Sequence, residues 1–271
     1  MTSQPPLLYE KQDGIVCITI NRPEARNALS PEVVCRLADA FVDYAADDTL
    51  RAAIITGAGD KAFCAGGDLG SMLPLLTGAR EPADDWDRRV LHEPLVMAAS
   101  ALRDFDLGKP VIAAINGSCF AAGAELILGT DVRVAASHAK FAFPEAKRGL
   151  IPFAGSTVRL ARQVPHALAM EMMLTGESID AATAHRIGLV NHVVPGIEVL
   201  DKARAIARAI AANGPFAVRR IKETVLKTSG LPLADAYAIE DASKRAVFDS
   251  EDAKEGPRSF MEKRPPRFTG R

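Results

Sequence analysis

Four short apolar runs, at 15–20, 52–56, 110–115 and 131–135, are separated by loops and helical stretches. They are rich in Ile, Val and Ala and bounded by Gly, Pro, Asn and Asp. Runs of this length and composition read as strands rather than buried helices. Strands parted by helices join through right-handed crossovers, so the pattern predicts a layered α/β core. The first run stops at Asn21-Arg22-Pro23, and Ser30-Pro31 starts a helix. Ser caps it, and Pro suits the first turn. Val33, Val34, Leu37, Phe41 and Val42 then recur at helical spacing. A glycine-rich loop, 57–70, follows the second run, and a helix is expected over 86–105.

The C-terminal half differs. From Phe153 the pattern is helical, broken by a strand-like segment at 189–194, and Asn213-Gly214-Pro215 reads as a helix stop and restart. The helices of the last third look too extended to bury their own apolar faces, which packing against another subunit would solve. A chain of 271 residues is long enough to bury about 73% of its unfolded surface, leaving a folded area of about 11,400 Å² if compact. The basic tail at 263–267 reads as a solvated terminus.

Composition excludes several function classes. Lys+Arg number 33 against 34 Asp+Glu, a net charge of −1, which argues against a dedicated nucleic-acid binder. The four cysteines, Cys17, Cys35, Cys64 and Cys119, form no CxxC; such scattered thiols fit a reduced, cytoplasmic setting and no zinc or haem spacing. Neither a basic-then-apolar leader nor an apolar run of membrane-spanning length is visible, so no membrane association is expected. The five histidines make no HExxH pair, and no metal site is expected. Residues 57–62 lack the third glycine of a dinucleotide fingerprint, Gly108-Lys109-Pro110 lacks the Ser or Thr of a phosphate loop, and no GxSxG elbow occurs.

Two glycine-containing loops remain, Phe63-Cys64-Ala65-Gly66-Gly67-Asp68 and the stretch from Asn116 to Glu125. Each follows a strand, and small residues admit a ligand close to the backbone. The second opens a helix, whose first amides are unpaired donors. Two converging amides would stabilise a developing oxyanion. The same residues also fit two tight, closely packed turns. Glu125 sits inside an apolar run, and Glu145 follows Phe141-Ala142-Phe143-Pro144. Each alone fits a helix start or an exposed loop; as a pair in apolar surroundings they also fit a general acid and base, with burial raising one pKa.

In their order and spacing these segments resemble the enoyl-CoA hydratase/isomerase (crotonase) family over nearly the whole chain. The segments are 18–29, 63–69, 116–126, Phe143-Pro144-Glu145 with Gly149-Leu150-Ile151-Pro152, Leu174-Thr175-Gly176-Glu177, Gly188-Leu189-Val190-Asn191, and 260–264 with Phe268. The resemblance implies a crotonase-like α/β fold: a spiral of ββα units over 1–195 and a C-terminal helical trimerisation region over 196–271. It implies a homotrimer, or a homohexamer built as a dimer of trimers, acting on acyl-CoA thioesters. No cofactor is implied, because CoA arrives as part of the substrate.

By position, the resemblance puts the oxyanion amides on Gly67 and Ala122, and the acid/base pair on Glu125 and Glu145. It puts CoA or substrate contacts on Ala25, Arg26, Ala28, Lys61, Ala65, Asp68, Leu69, Pro144 and Phe153. Having both glutamates favours hydration of a trans-2-enoyl-CoA to a 3-hydroxyacyl-CoA, with Glu125 activating water at Cβ and Glu145 protonating Cα. Other reactions of the family stay open: isomerisation, a carnitinyl-CoA-like dehydration, or thioester hydrolysis. So does a non-catalytic binding role. Met72, Leu73, Leu75, Leu76 and Trp86 are candidates to line the acyl tail pocket. Three departures point to an unusual acyl group: Ala121-Ala122-Gly123 in place of a glycine-rich triplet, Phe153 where many hydratases carry glycine, and Glu24 at an often basic position. Arg26 and Lys61 could compensate for Glu24.

Overall fold

A computed structural model describes residues 4–271. The strands are β1 (Leu7–Gln12), β2 (Ile15–Ile20), β3 (Ala52–Gly57), β4 (Ala62–Cys64), β5 (Val111–Ile115), β6 (Ser118–Phe120), β7 (Val132–Ala136), β8 (Lys140–Ala142), β9 (Ile179–Asp180) and β10 (His192–Val194). The four apolar runs of the sequence become β2, β3, β5 and β7. They lie side by side and parallel at the centre of a six-stranded sheet, ordered β1-β2-β3-β5-β7-β10. Every residue of β3 and β5 is buried, as expected of strands covered on both faces.

A second sheet of four very short strands, β4-β6-β8-β9, was not anticipated. Its logic is repetition. In β3–β4, β5–β6 and β7–β8 the first strand joins the large sheet and the second joins the small one, with helices following. Stacking these ββα units produces the spiral, and it aligns the loops around β4, β6 and β8 in a row.

The helices are α1 (Pro31–Ala46), α2 (Met72–Leu76), α3 (Asp85–His92), α4 (Pro94–Ser100), α5 (Ala122–Ile127), α6 (Ser156–Gln163), α7 (His166–Thr175), α8 (Ala181–Arg186), α9 (Val199–Ala211), α10 (Pro215–Thr228), α11 (Leu233–Phe248) and α12 (Glu251–Met261). Ser30 caps α1 through the Val33 amide, as its sequence suggests. The single helix expected over 86–105 is instead two. Pro94 forces the residue before it out of the helical region, and Glu93 is extended at ψ 94°. The second segment ends at Ser100, before Leu102 turns left-handed at φ 50°.

The C-terminal helices behave differently from the rest. α10 and α11 bury no residue, and Ile221, Val225, Leu226 and Leu233 are all exposed. The folded surface of 14039 Å² exceeds the roughly 11,400 Å² of a compact chain of this mass. Two helices standing off the core account for the direction of that excess. The basic tail is largely solvated, as read from sequence, with Lys263, Pro265, Pro266 and Arg267 exposed, but it is also anchored. Buried Glu255 pairs with Arg264 at 2.6 Å and accepts the Arg267 amide, while Asp252 accepts the amides of Thr269 and Gly270. Arg51 ties the tail to the core by donating to the carbonyls of Phe268 and Ala211. Among the described residues, all four cysteines are free, no helix is long and apolar enough to cross a membrane, and no cluster of three His, Cys, Asp or Glu could hold a metal.

Candidate active site

The two glycine-containing loops meet. A Cβ on Gly66 would lie 2.7 Å from the Ala121 Cβ and 3.5 Å from the Ala122 nitrogen, so the chains touch where Gly66 has no side chain. Gly66 also holds φ at +104°, a conformation suited to glycine. Two residues beyond Ala121, a Cβ on Gly123 would meet the Cys64 Cβ at 2.6 Å. The first loop is steadied from its other side: Leu29 donates to the Gly66 carbonyl, and Asp68 donates to that of Leu29.

Ala121 turns the second loop. It is a non-glycine residue at φ +49°, a conformation costing about 1–3 kcal/mol, and its amide is fixed on the Ala142 carbonyl of β8. The turn makes Ala122 the first residue of α5, whose amide has no intrahelical acceptor. Gly67 and Ala122 both line one cavity of about 170 Å³, with apolar walls from Leu69, Met72, Leu73 and Leu76.

Two carboxyl groups face the same cavity. Glu125, on α5, is 1% exposed, and Glu145, on the 3₁₀ turn Pro144–Arg148, is 8% exposed. Their surroundings differ. Glu125 Oε1 accepts the Ala154 amide at 2.8 Å and the Ser156 amide at 3.3 Å. Burial raises its pKa overall, and those amides oppose part of the rise. Glu145 Oε2 is buried with no hydrogen-bond partner. Burial, followed by the negative charge of Glu125, pushes its pKa up to about 7. The pair therefore contains one carboxyl held by donors that favour its ionised form and one that keeps its proton near neutrality. That division suits a base and an acid acting together.

Of the residues singled out in the sequence, Ala65, Gly67, Leu69, Ala122, Glu125, Pro144, Glu145 and Phe153 line this cavity. Ala25, Arg26, Ala28, Lys61 and Asp68 do not. The 25–28 loop lies beside it, with the Arg26 carbonyl accepting the Ala65 amide and the Ala28 carbonyl accepting from Arg22. Arg26 and Lys61 are exposed. The Asp68 carboxylate is already engaged, by Arg22 at 3.0 Å and by the amides of Gly70 and Ser71, and so organises the loop carrying Gly67. Among the tail-pocket candidates, Met72, Leu73 and Leu76 reach the cavity. Leu75 is buried in the core instead. Trp86 is also absent from the lining; it packs against the core, with the guanidinium groups of Arg36 and Arg89 over its ring at 5.1 and 5.8 Å.

Sequence reasoning missed Phe120 and Arg148, which also line the cavity, and the Ala154 and Ser156 amides that hold Glu125. Arg148 had a signal: three residues after Glu145, it falls on the same side of a 3₁₀ turn.

The enoyl-CoA hydratase/isomerase family profile matches residues 10–271. An enoyl-CoA hydratase of Mycobacterium tuberculosis, EchA19, is 43% identical, covering 99% of this chain and 98% of that protein. A carnitinyl-CoA dehydratase of Salmonella arizonae is 42% identical, covering 97% and 98%. The crystal structure of enoyl-CoA hydratase EchA1 from Mycobacterium marinum superposes with a TM-score of 0.88 at 40% identity, covering 99% of this chain and all of that one.

Proposed function

Because the chain belongs to the enoyl-CoA hydratase/isomerase family, we propose that it reversibly adds water to a trans-2-enoyl-CoA, giving a 3-hydroxyacyl-CoA. The observation that carries this reading is the pair of buried carboxyl groups, differently supported, sharing one cavity with the amides of Gly67 and Ala122.

In the forward direction the thioester oxygen accepts from those two amides. Each such donor is worth about 3–4 kcal/mol when charge develops on the oxygen. Glu125 takes a proton from the water that attacks Cβ, and Glu145 delivers a proton to Cα. Dehydration reverses both transfers. In this reading the CoA phosphates meet the exposed Arg26 and Lys61, and CoA is part of the substrate rather than a resident cofactor. The four free thiols fit a reducing compartment such as the cytoplasm. The uncovered faces of α10 and α11 favour residues 196–271 as the region that joins subunits into a trimer or a dimer of trimers.

A second reading, dehydration of a carnitinyl-CoA, uses the same pair of carboxyl groups, and the 42%-identical relative favours it. The test of the first is loss of the conjugated enoyl absorbance with crotonyl-CoA and longer enoyl-CoAs. Wild type should turn them over, and Glu125→Gln should lower kcat about 10²–10⁴-fold while still binding CoA esters. Absence of hydration at every chain length would reject the hydratase reading.

A further inference from the structure

One of the peptide groups that grip Glu125 is itself held at its other end. The Ala154 amide donates to Glu125 Oε1 at 2.8 Å. The carbonyl of the same peptide, that of Phe153, accepts from Arg103 Nη1 at 2.6 Å. The N–H and C=O of a trans peptide point in opposite directions. The order across the peptide is therefore guanidinium, carbonyl, amide, carboxylate. A cation on the carbonyl draws electron density from the amide and makes its N–H a better donor, as hydrogen bonds in series strengthen one another.

The segment that presents Arg103 is fixed from several sides. Just past α4 the chain closes a Schellman turn: the Leu102 amide donates to the Ala99 carbonyl and the Arg103 amide to that of Ala98. Glycine commonly takes the left-handed position of such a turn. Here it is Leu102, at φ 50° and buried. Arg159 of α6 donates from Nη2 to the carbonyls of both Leu102 and Arg103. Gly129, just past α5, leaves room for this packing. A Cβ there would lie 2.7 Å from the Leu102 Cβ and 2.9 Å from Arg159 Nη1. The turn carrying Arg103 is thus locked against the end of the helix that carries Glu125.

We propose that Arg103 is a positioning residue for Glu125, orienting and polarising the Phe153–Ala154 peptide so that the carboxylate keeps its charge and its aim. Its part in catalysis rests on the reading of Glu125 as the base. Arg103 Nε lies 3.2 Å from the Asp104 carboxylate, which leaves Nη1 to Phe153. The Arg103 side chain is 52% exposed, so water screens it, and its effect on Glu125 is about half a pH unit rather than several. Glu145 and Arg148 are the other charged or titratable groups lining the cavity with Glu125, and neither changes in the variants that test the proposal.

Two measurements test it. In the pH profile of kcat/KM on crotonyl-CoA, the acidic limb reports protonation of the base. Arg103→Met should move that limb up by about half a pH unit. Arg103→Lys keeps the charge and the one donor used, and should leave the limb where wild type has it. The second measurement needs no turnover: thermal unfolding at pH 8.5 of wild type, Arg103→Met, Glu125→Gln and the double variant. Arg103→Met should lower Tm by about 1–2 °C more when Glu125 is present than when Gln replaces it. The contributions of Asp104 and Arg159 are common to both backgrounds and cancel. A limb that stays in place or falls, a limb that Arg103→Lys moves as far as Arg103→Met does, or an equal Tm loss in the two backgrounds overturns the proposal. If wild type hydrates no enoyl-CoA, the hydratase reading fails and the unfolding cycle alone decides.

Discussion

Replacing Glu145 with Gln should make the protein more stable and less active, and the gain in stability should depend on pH. Glu145 is 8% exposed, its Oε2 has no partner, and its pKa rises from an ordinary 4.5 to about 7. A carboxyl raised in this way binds its proton more tightly in the folded state than in the unfolded one. Stability is therefore lost as pH climbs from about 4.5 to about 7, and the deficit persists above that. At ~1.4 kcal/mol per pH unit, the ionised group costs about 3 kcal/mol at pH 8.5 and about 1 kcal/mol at pH 5. For a chain of 271 residues, the unfolding entropy converts these to roughly 6 °C and roughly 2 °C in Tm.

The new amide has its own unpaired buried donor, but that penalty is the same at both pH values. The readout is thus the difference between them, roughly 4 °C. It is measured by thermal unfolding of both proteins at one protein concentration, since any subunit association would also shift Tm. Turnover on an enoyl-CoA should fall about 10²–10⁴-fold in the same variant. A Tm gain that is equal at pH 5 and pH 8.5, or larger at pH 5, would refute the assignment of Glu145 as the carboxyl kept protonated by burial.

Two further outcomes are expected. Gly66→Ala places a Cβ 2.7 Å from Ala121 at φ +104°; chemical denaturation should show a loss of about 1–3 kcal/mol, and kcat should drop with it. Ile221 and Val225 are four residues apart on α10, hence on one face, and both are exposed in the single chain. Changing both to Asp should move the sedimenting species from a multiple of the 28.9 kDa chain toward the chain itself; an unchanged species would remove α10 from the subunit contact.

The large sheet was legible because its inner strands are covered on both faces, which demands the continuous apolar runs seen at β3 and β5. The small sheet was not. Ala62–Cys64 and Ser118–Phe120 are three residues each, too short to show a period, and their neighbours in space rather than their own residues make them strands. β1 escaped notice because LLYEKQ is half polar, as an edge strand tends to be. Its signal lay just outside it: Asp13-Gly14, both at positive φ, is a two-residue hairpin turn. The break at Pro94 was readable and was overridden by the apolar content around it.

In the site, an acid inside an apolar run marked Glu125, and an acid directly after one marked Glu145. Apolar content alone did not say where Leu75 or Trp86 would face. Trp86 lies under the guanidinium of Arg36, fifty residues away in sequence, and Arg264 of the basic tail pairs with Glu255. Such pairings are set by the fold and leave no local pattern.

The meshing of Gly66 with Ala121, and of Gly123 with Cys64, separates the proposed oxyanion donors from the positions under constraint. The donors of Gly67 and Ala122 belong to the main chain, and any residue but proline supplies them. Exchanging Ala122 for another small residue leaves its donor in place. The adjoining Gly66 and Gly123 contribute nothing to the reaction directly, yet a single added carbon at either would push the loops apart. Damaging substitutions should therefore cluster one residue away from the proposed donors, on positions that an assay of chemical groups alone would pass over.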